Sequence, residues 1–385
     1  METRNITGKQ CKATRSLWEE VFNEDSEQFT DYYFEHKAEK NIGYVIGEAP
    51  YDAMMFRAPY QLHIGNQQRE ISYLVGVATR EECRHRGYMR SLLMHSFREM
   101  YEEKQPFTFL MPANPAIYEP FDFKYIYERD VWGLKEGIEI EDFLKESPKL
   151  NVKHELNGYE LNVAEIQNHD KKAAMLEGLY RVSDLQEQFP DIPILWMLAD
   201  FANEYLKEHF NIYVHRDEAY YDMQMKELAA QNGDIYVLFE QSKIKAFFLY
   251  AKEESEVFIQ EVVGEEEDIP DFLQKEEAKK PIIMARIIHL EEMLKLVCCK
   301  EHRKFTIEIE DDLISENTGT YDWEITSIGS RVLRIQQDSE CGELKAVGSK
   351  YEVNGEMKGS TQKISMHIRE FAPLILQGVF INEIV

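Results

Sequence analysis

Arg84, His85, Arg86 and Gly87 are consecutive residues of the kinds that can hold a charged ligand. They follow an apolar stretch, ISYLVGVAT. They precede RSLLMHSFREM, whose Leu92, Leu93, Phe97 and Met100 share one helical face with Met89. A strand, a basic turn and a helix in that order offer N–H groups and positive charge to phosphate. Gly87 allows close backbone approach, and Arg84 and Arg86 add charge. Near the end of the strand, the backbone N–H of Val77 can hold a carbonyl oxygen as it becomes an oxyanion. Downstream, after a second apolar strand, PANPAIYEPFDF places Tyr118 in a loop. Taken in order, these parts point to acyl-CoA thioester chemistry, with pyrophosphate at a helix start and pantetheine along an exposed strand.

The rest of the chain must position these groups. Its 385 residues exceed one ordinary core, so two or three domains are expected. Apolar residues make up 44% and aromatic residues 12%, a globular composition. The formal charge of -27 disfavours nucleic acid and favours cationic partners. No apolar run approaches the roughly 18 residues that a membrane span needs. METRNITGKQCKATRS has no apolar signal core, so a cytoplasmic, non-membrane protein is expected. The five cysteines (Cys11, Cys83, Cys298, Cys299, Cys341) form no CxxC, and the histidines form no HxH or HExxH, so no metal site is expected. Cys298 and Cys299 read as a buried helix pair.

Proline and glycine mark joints that divide the chain into blocks 1–148, 149–280 and 281–385. In the second block, helices are predicted near 170–182, 195–209 and 217–231. Strands are predicted for IYVLFE and KAFFLYAK, joined by a turn around Ser242. This block echoes the first without its basic loop. In the third block, IIMARIIHLEEMLKLV reads as a helix. Short strands follow from FTIEIEDDLI to YEVNGEMKGS, and KISMHIREFAPLILQGVFINEIV reads as a helix and a buried tail.

The combination LVGVAT…RHRGYMRSLL…PANPAIYEPFDFKY resembles the GCN5-related N-acetyltransferases (GNAT), whose signature is R/Q-x-x-G-x-G/A; here Met89 stands at the last position. It resembles in particular the Eis (enhanced intracellular survival) acetyltransferases, which tolerate a larger residue there. Looser likenesses extend through VHRDEAYY, NGDIYVLFE and PIIMARIIHLEEML to the whole chain. The resemblance implies a mixed α/β and α+β architecture. A catalytic GNAT domain would span 1–148, a degenerate GNAT-like domain 149–280, and a sterol-carrier-like domain 281–385. It implies acetyl-CoA as co-substrate, held by Val77, Ala78, Thr79, Arg84, His85, Arg86, Gly87, Tyr88, Met89, Arg90 and Asn114. His85 would act there as a backbone donor.

The resemblance further implies Tyr118 as general acid and the C-terminal carboxylate of Val385 as the group that takes a proton from the amine, with Glu383 close enough in sequence to share that work. The acceptor would enter beside SLWEEVFNEDSEQFTDYYF, where Phe22, Glu24, Asp25 and Tyr33 combine acidic and aromatic character suited to a cationic amine. Aminoglycosides are the family's best-known acceptors, and lysine side chains or polyamines are the alternatives within the enzyme class. An apolar-ligand carrier with an inactive first domain is the alternative outside it. Trimers or hexamers are the expected assemblies.

Overall fold

The structure is a computed structural model that describes residues 2–145, 155–156, 159–160, 176–253, 256–337, 344–346 and 362–383. The first block supplies β1 (Arg4–Thr7), α1 (Arg15–Val21), α2 (Glu27–Tyr32), β2 (Ile42–Ile46), β3 (Ala53–Ile64) and β4 (Gln67–Thr79). It continues with α3 (Tyr88–Glu102), β5 (Phe107–Leu110), β6 (Lys124–Arg129) and β7 (Trp132–Leu134). The second holds a two-residue hairpin, β8 (Glu155–Leu156) and β9 (Tyr159–Glu160), then β10 (Gly178–Arg181), α4 (Val182–Gln188) and α5 (Ile194–His209). Next come β11 (Ile212–Val214), α6 (Glu218–Ala230), β12 (Asp234–Glu240), β13 (Lys243–Glu253), β14 (Glu256–Gly264) and β15 (Leu273–Lys275). The third holds β16 (Lys280–Ile287), α7 (Leu290–Leu296), β17 (Arg303–Glu310), β18 (Gly319–Thr326) and β19 (Gly329–Gln337). It ends in β20 (Leu344–Ala346), β21 (Gln362–His367), α8 (Ile368–Ile375) and β22 (Val379–Phe380).

Helix α3 buries Leu92, Leu93, Phe97 and Met100, the stripe that its sequence predicts, and packs against β2, β3 and β4. Helix α6 starts where Asp217 accepts a hydrogen bond from the Tyr220 amide at 2.7 Å, an N-cap that satisfies one of the orphan donors of its first turn. The turn predicted around Ser242 joins β12 and β13, and Gln241 and Ser242 both have positive φ in it.

The strands form sheets flanked by helices, as expected of the fold class; the first and third sheets below mix parallel and antiparallel pairs, and the strand pairs of the second are all antiparallel. The first sheet runs β1-β2-β3-β4-β5-β16-β6, with β11 added to the far end of β3 and β22 beside β11. The second runs β10-β12-β13-β14-β7-β15, and a third runs β20-β19-β18-β17-β21. Strand membership crosses the block borders. Trp132–Leu134 pairs in the second sheet, while Lys280–Ile287 lies between β5 and β6 in the first.

Four readings of local structure are corrected. The helix predicted over 282–297 is a strand followed by the short helix α7. Residues 282–288 are buried without interruption, because β16 is covered on both faces in the middle of a sheet, and such a run has no polar side to reveal its period. In the helix predicted near 170–182, Gly178–Arg181 is a strand paired with β12. The segment 363–367 is likewise a strand, parallel to β17, and the helix begins at Ile368. Cys298 and Cys299 come after α7 rather than lie in it, and both are half-buried.

Candidate active site

Strand β4 breaks its pairing where the chemistry needs an accessible backbone. Met54 faces Ala78 and Phe56 faces Val75, so Gly76 and Val77 together oppose Met55, which is a β-bulge. Gly76 has φ +63°, and a Cβ there would stand 2.6 Å from Cζ3 of Trp18, so a side chain is excluded twice over. On its other side β4 meets β5 at two registered pairs only, Ser72–Thr108 and Tyr73–Phe109. Beyond Tyr73 the two strands have no registered pairing, and residues 74–79 border the open side of a V. The apex is fastened by Thr108 Oγ1, which donates to the Ser72 carbonyl at 2.8 Å, and by Ser72 Oγ, which donates to Gln105 Oε1 at 2.7 Å. An amide-bearing arm can add to such a strand edge.

The basic loop comes next. Arg84, His85, Arg86, Gly87 and Arg90 are exposed, and Tyr88 and Met89 are half-buried. His85 and Gly87 have φ of +61° and +79°, and Gly87 is the N-cap of α3 with no side chain capping it. A Cβ on Gly87 would meet nothing within 4 Å, so glycine is required there by backbone conformation and the space before the helix stays open. Arg84 Nε donates to the Thr79 carbonyl at 3.4 Å, which holds the loop against the end of β4, and Arg86 Nη2 donates to the Glu82 carbonyl at 2.8 Å within the loop. Helix start, glycine and guanidinium groups together suit a pyrophosphate.

Asn114 builds the next turn, its side chain accepting from the Ala116 amide at 3.1 Å. The Tyr118 amide donates to the Pro115 carbonyl at 2.9 Å, and the Arg90 guanidinium lies 5.8 Å from the Phe121 ring, so this turn stands beside the start of α3. Tyr118 is buried with its ring edge-on to Phe123 at 5.9 Å. Burial pushes its phenol up to about 12, which keeps it protonated at neutral pH and makes it a donor rather than a base.

A cavity of about 260 Å³ opens between β3, β4, α6 and the C-terminal tail. Tyr60, Tyr73, Val75 and Tyr33 form one wall, and His215, Asp217, Tyr220 and Met223 another. Tyr73 is also the last β5-paired residue of β4, so the cavity reaches the apex of the V. The tail enters beside it: Val379–Phe380 pairs with Ile212–Tyr213, Ile381 is buried, and Asn382 Nδ2 donates to the Gln260 carbonyl. Glu383 is then buried in the cavity wall, accepting from the Tyr220 hydroxyl at 3.0 Å. Burial raises its pKa, while Arg216 and Lys37 oppose the rise. A second hollow of about 370 Å³, between Gln186 and Leu195 with Glu218, contains none of the loop residues or Tyr118.

Of the expected acceptor residues, Tyr33 and Glu383 line the cavity. Phe22 packs 4.8 Å from Trp18, Asp25 accepts from the Trp18 indole N–H at 2.8 Å, and Glu24 is exposed; none of the three is in the cavity wall. Val385 lies outside the described residues. Tyr60, Tyr73, His215 and Tyr220 line the cavity, and the sequence did not single them out. The one signal for them was the pattern of α6, which put Tyr220 on a packed face. Among the described residues there is no group of three or more His, Cys, Asp or Glu that could hold a metal, and no helix is long and apolar enough to cross a membrane.

Comparison with known proteins fits this geometry. The acetyltransferase (GNAT) domain family matches residues 2–126. No curated protein sequence matches significantly. Among solved structures, a probable N-acyltransferase from Enterococcus faecalis superposes with TM-score 0.66 at 14% identity, covering 98% of this chain and 90% of that one. A GCN5-related N-acetyltransferase from Anabaena variabilis gives 0.62 at 13% identity, covering 97% and 89%. Eis1 from Mycobacterium abscessus gives 0.61 at 10% identity, covering 98% and 90%. The long coverage at low identity shows that the fold is shared. Residues 2–126 are therefore a GNAT acetyltransferase domain.

Proposed function

We propose that this enzyme transfers an acetyl group from acetyl-CoA directly to a cationic amine held in the cavity between β4, α6 and the tail. The observation that carries this reading is the position of Glu383, a buried carboxylate in a cavity that reaches the apex of the β4–β5 opening. The pyrophosphate lies on Arg84, Arg86 and the backbone from His85 to Arg90, with Asn114 shaping the adjoining turn. Pantetheine runs along Val77, Ala78 and Thr79. Glu383 takes a proton from the ammonium, the free amine attacks the thioester carbonyl, and the Val77 N–H receives the oxyanion. Tyr118 then gives its proton to sulfur.

With Tyr118 at about 12, donation to a thiolate of ordinary pKa, about 8.5, is uphill by roughly 5 kcal/mol. The transfer therefore accompanies C–S cleavage in a site where the thiolate is also poorly solvated. None of the described cysteines lines the cavity, which suits direct transfer over an acyl-enzyme.

An Eis-like plan, with a second GNAT-like domain over 149–280 and a sterol-carrier-like domain over 281–385, accounts for a tail that returns to the first domain. On that plan the acceptor is of the aminoglycoside type, and the Val385 carboxylate shares the work of Glu383. A second reading has its own support. Lys37 and Lys40 line the cavity beside Glu383 and Asp217, which moderates its negative charge and suits a single lysine-type amine as well as a polycation. The test is release of free thiol from acetyl-CoA by untagged protein with aminoglycosides, polyamines and lysine peptides in parallel. Release with an aminoglycoside supports the first reading and release with peptides alone supports the second. Silence across all three classes, with acetyl-CoA bound, would sink both.

A further inference from the structure

Arg216 is fully buried, yet it belongs to neither the basic loop nor the cavity wall. Its Nη2 donates to Glu261 of β14 at 3.0 Å, while Nε and Nη1 have no hydrogen-bond partner among the described residues. A buried ion pair seldom repays its desolvation by stability alone, so a pair with two idle guanidinium nitrogens needs another reason. The guanidinium lies 4.2 Å from the centre of the Tyr220 ring, and the Tyr220 hydroxyl donates to Glu383 at 3.0 Å. A cation on the face of a phenol makes its O–H a stronger donor, and that O–H points at the carboxylate. Glu261 Oε2 also accepts from Asn382 Nδ2 at 3.5 Å, one residue before Glu383. One strand residue therefore holds both the cation and the tail.

We propose that Arg216 is the positioning residue of the acceptor site: acting through Tyr220 and anchored by Glu261, it fixes both the seat and the charge of Glu383. This rests on the reading of Glu383 as the base. The charged groups acting on Glu383 are Arg216 before α6, Lys37 after α2, and Glu261 on β14. Tyr32 on α2, Tyr60 on β3, Tyr73 on β4, and Tyr220 and Tyr221 on α6 also feel its charge. Glu227 holds the Lys37 ammonium at 2.7 Å and the Tyr32 hydroxyl at 2.9 Å, and His215 lies on the opposite wall. Arg216 and Glu261 therefore act on Glu383 with opposite sign, and substitutions at the two sites must move its titration in opposite directions.

The experiment is a difference infrared titration of the full chain without acceptor, with the Glu383 band assigned by its loss in Glu383→Gln. Arg216→Met should move the midpoint up by about one pH unit or more, because a stabilising cation is gone. Glu261→Gln keeps the shape of the side chain and an acceptor for Arg216, and should move the midpoint down, because an anion is removed and the Arg216 charge is no longer offset by it. If Arg216→Met does not fold, judged by loss of thermal stabilisation by acetyl-CoA, the downward shift in Glu261→Gln decides alone. Midpoints that stay put, or move together, overturn the proposal. Opposite infrared shifts that the acid limb of kcat/KM does not track uphold Arg216 and instead reject Glu383 as the base.

Discussion

The ends of β4 and β14 lead into unlike segments. Each strand belongs to a long antiparallel pair with a register shift, β3–β4 in the first sheet and β13–β14 in the second. After β4 come Arg80, Arg84, Arg86 and Arg90, a left-handed glycine and the 15-residue helix α3. After β14, which ends at Gly264, come Glu265 and a short 3₁₀ turn of Glu266, Glu267 and Asp268, and β15 is the next regular element. The first end offers N–H groups and positive charge to an anion, whereas the second repels one. The second unit contributes to the site by another route. It adds β11 to the first sheet and turns Tyr220 toward the cavity, and β14 supplies Glu261. A similar strand pair can thus hold a ligand in one place and hold the wall of that ligand's neighbour in another.

The largest expected effect lies on the wall. Glu383→Gln should lower kcat/KM by roughly 10²–10⁴-fold, the range for losing a general base. In the unsubstituted enzyme the acid limb of kcat/KM should lie above the ordinary carboxylate value of 4.5, since burial raises the pKa of Glu383 and activity falls as it gains a proton. An acid limb unaffected by Glu383→Gln would remove Glu383 from the chemistry. Tyr118→Phe should cost roughly 10²-fold in kcat with little change in acetyl-CoA affinity, measured by calorimetry beside steady-state rates. Equal losses in both would make Tyr118 a packing residue.

Gly87→Val forces a β-branched residue into a left-handed conformation at a cost of roughly 1–2 kcal/mol, or about 5–30-fold in KM for acetyl-CoA. A KM unchanged by this substitution would deny the first strand end its phosphate. The smallest effect should come from the other end: Glu266→Gln with Glu267→Gln should leave KM unchanged and stability within about 0.5 kcal/mol. A gain in acetyl-CoA affinity would show that the second end also meets the cofactor and would break the comparison.

The first strand end is legible in the sequence because everything it needs is local. The apolar run of β4, the glycine at the turn, the basic pair and the stripe of α3 lie within a few dozen residues, and each has its own period or turn chemistry. Asn114 and Tyr118 come soon after, on adjoining 3₁₀ turns. The acceptor side is only partly legible. Acidic and aromatic residues near the start point to Phe22, Glu24 and Asp25, yet Trp18 takes Asp25 and Phe22 for its own packing. A carboxylate's charge can be read from a sequence, but not the indole that uses it. Strand β16 reads as a helix because residues buried on both faces lose the alternation that marks a strand.

The order of residues alone accounts for the local chemistry: an apolar strand, a basic glycine turn, a core-packed helix and a loop tyrosine, each set by steric and hydrogen-bonding rules that act over short stretches. The groups that face this chemistry came together only through the tertiary fold. Residues near 60, 73, 216, 220, 261 and 383 meet in and around one small cavity because β11 and β22 extend the first sheet. Such pairings depend on backbone hydrogen bonds between segments more than a hundred residues apart, which side-chain pattern along the chain does not record. The charge of Glu383 was decided there as well, since burial and the partners brought to it set its proton affinity.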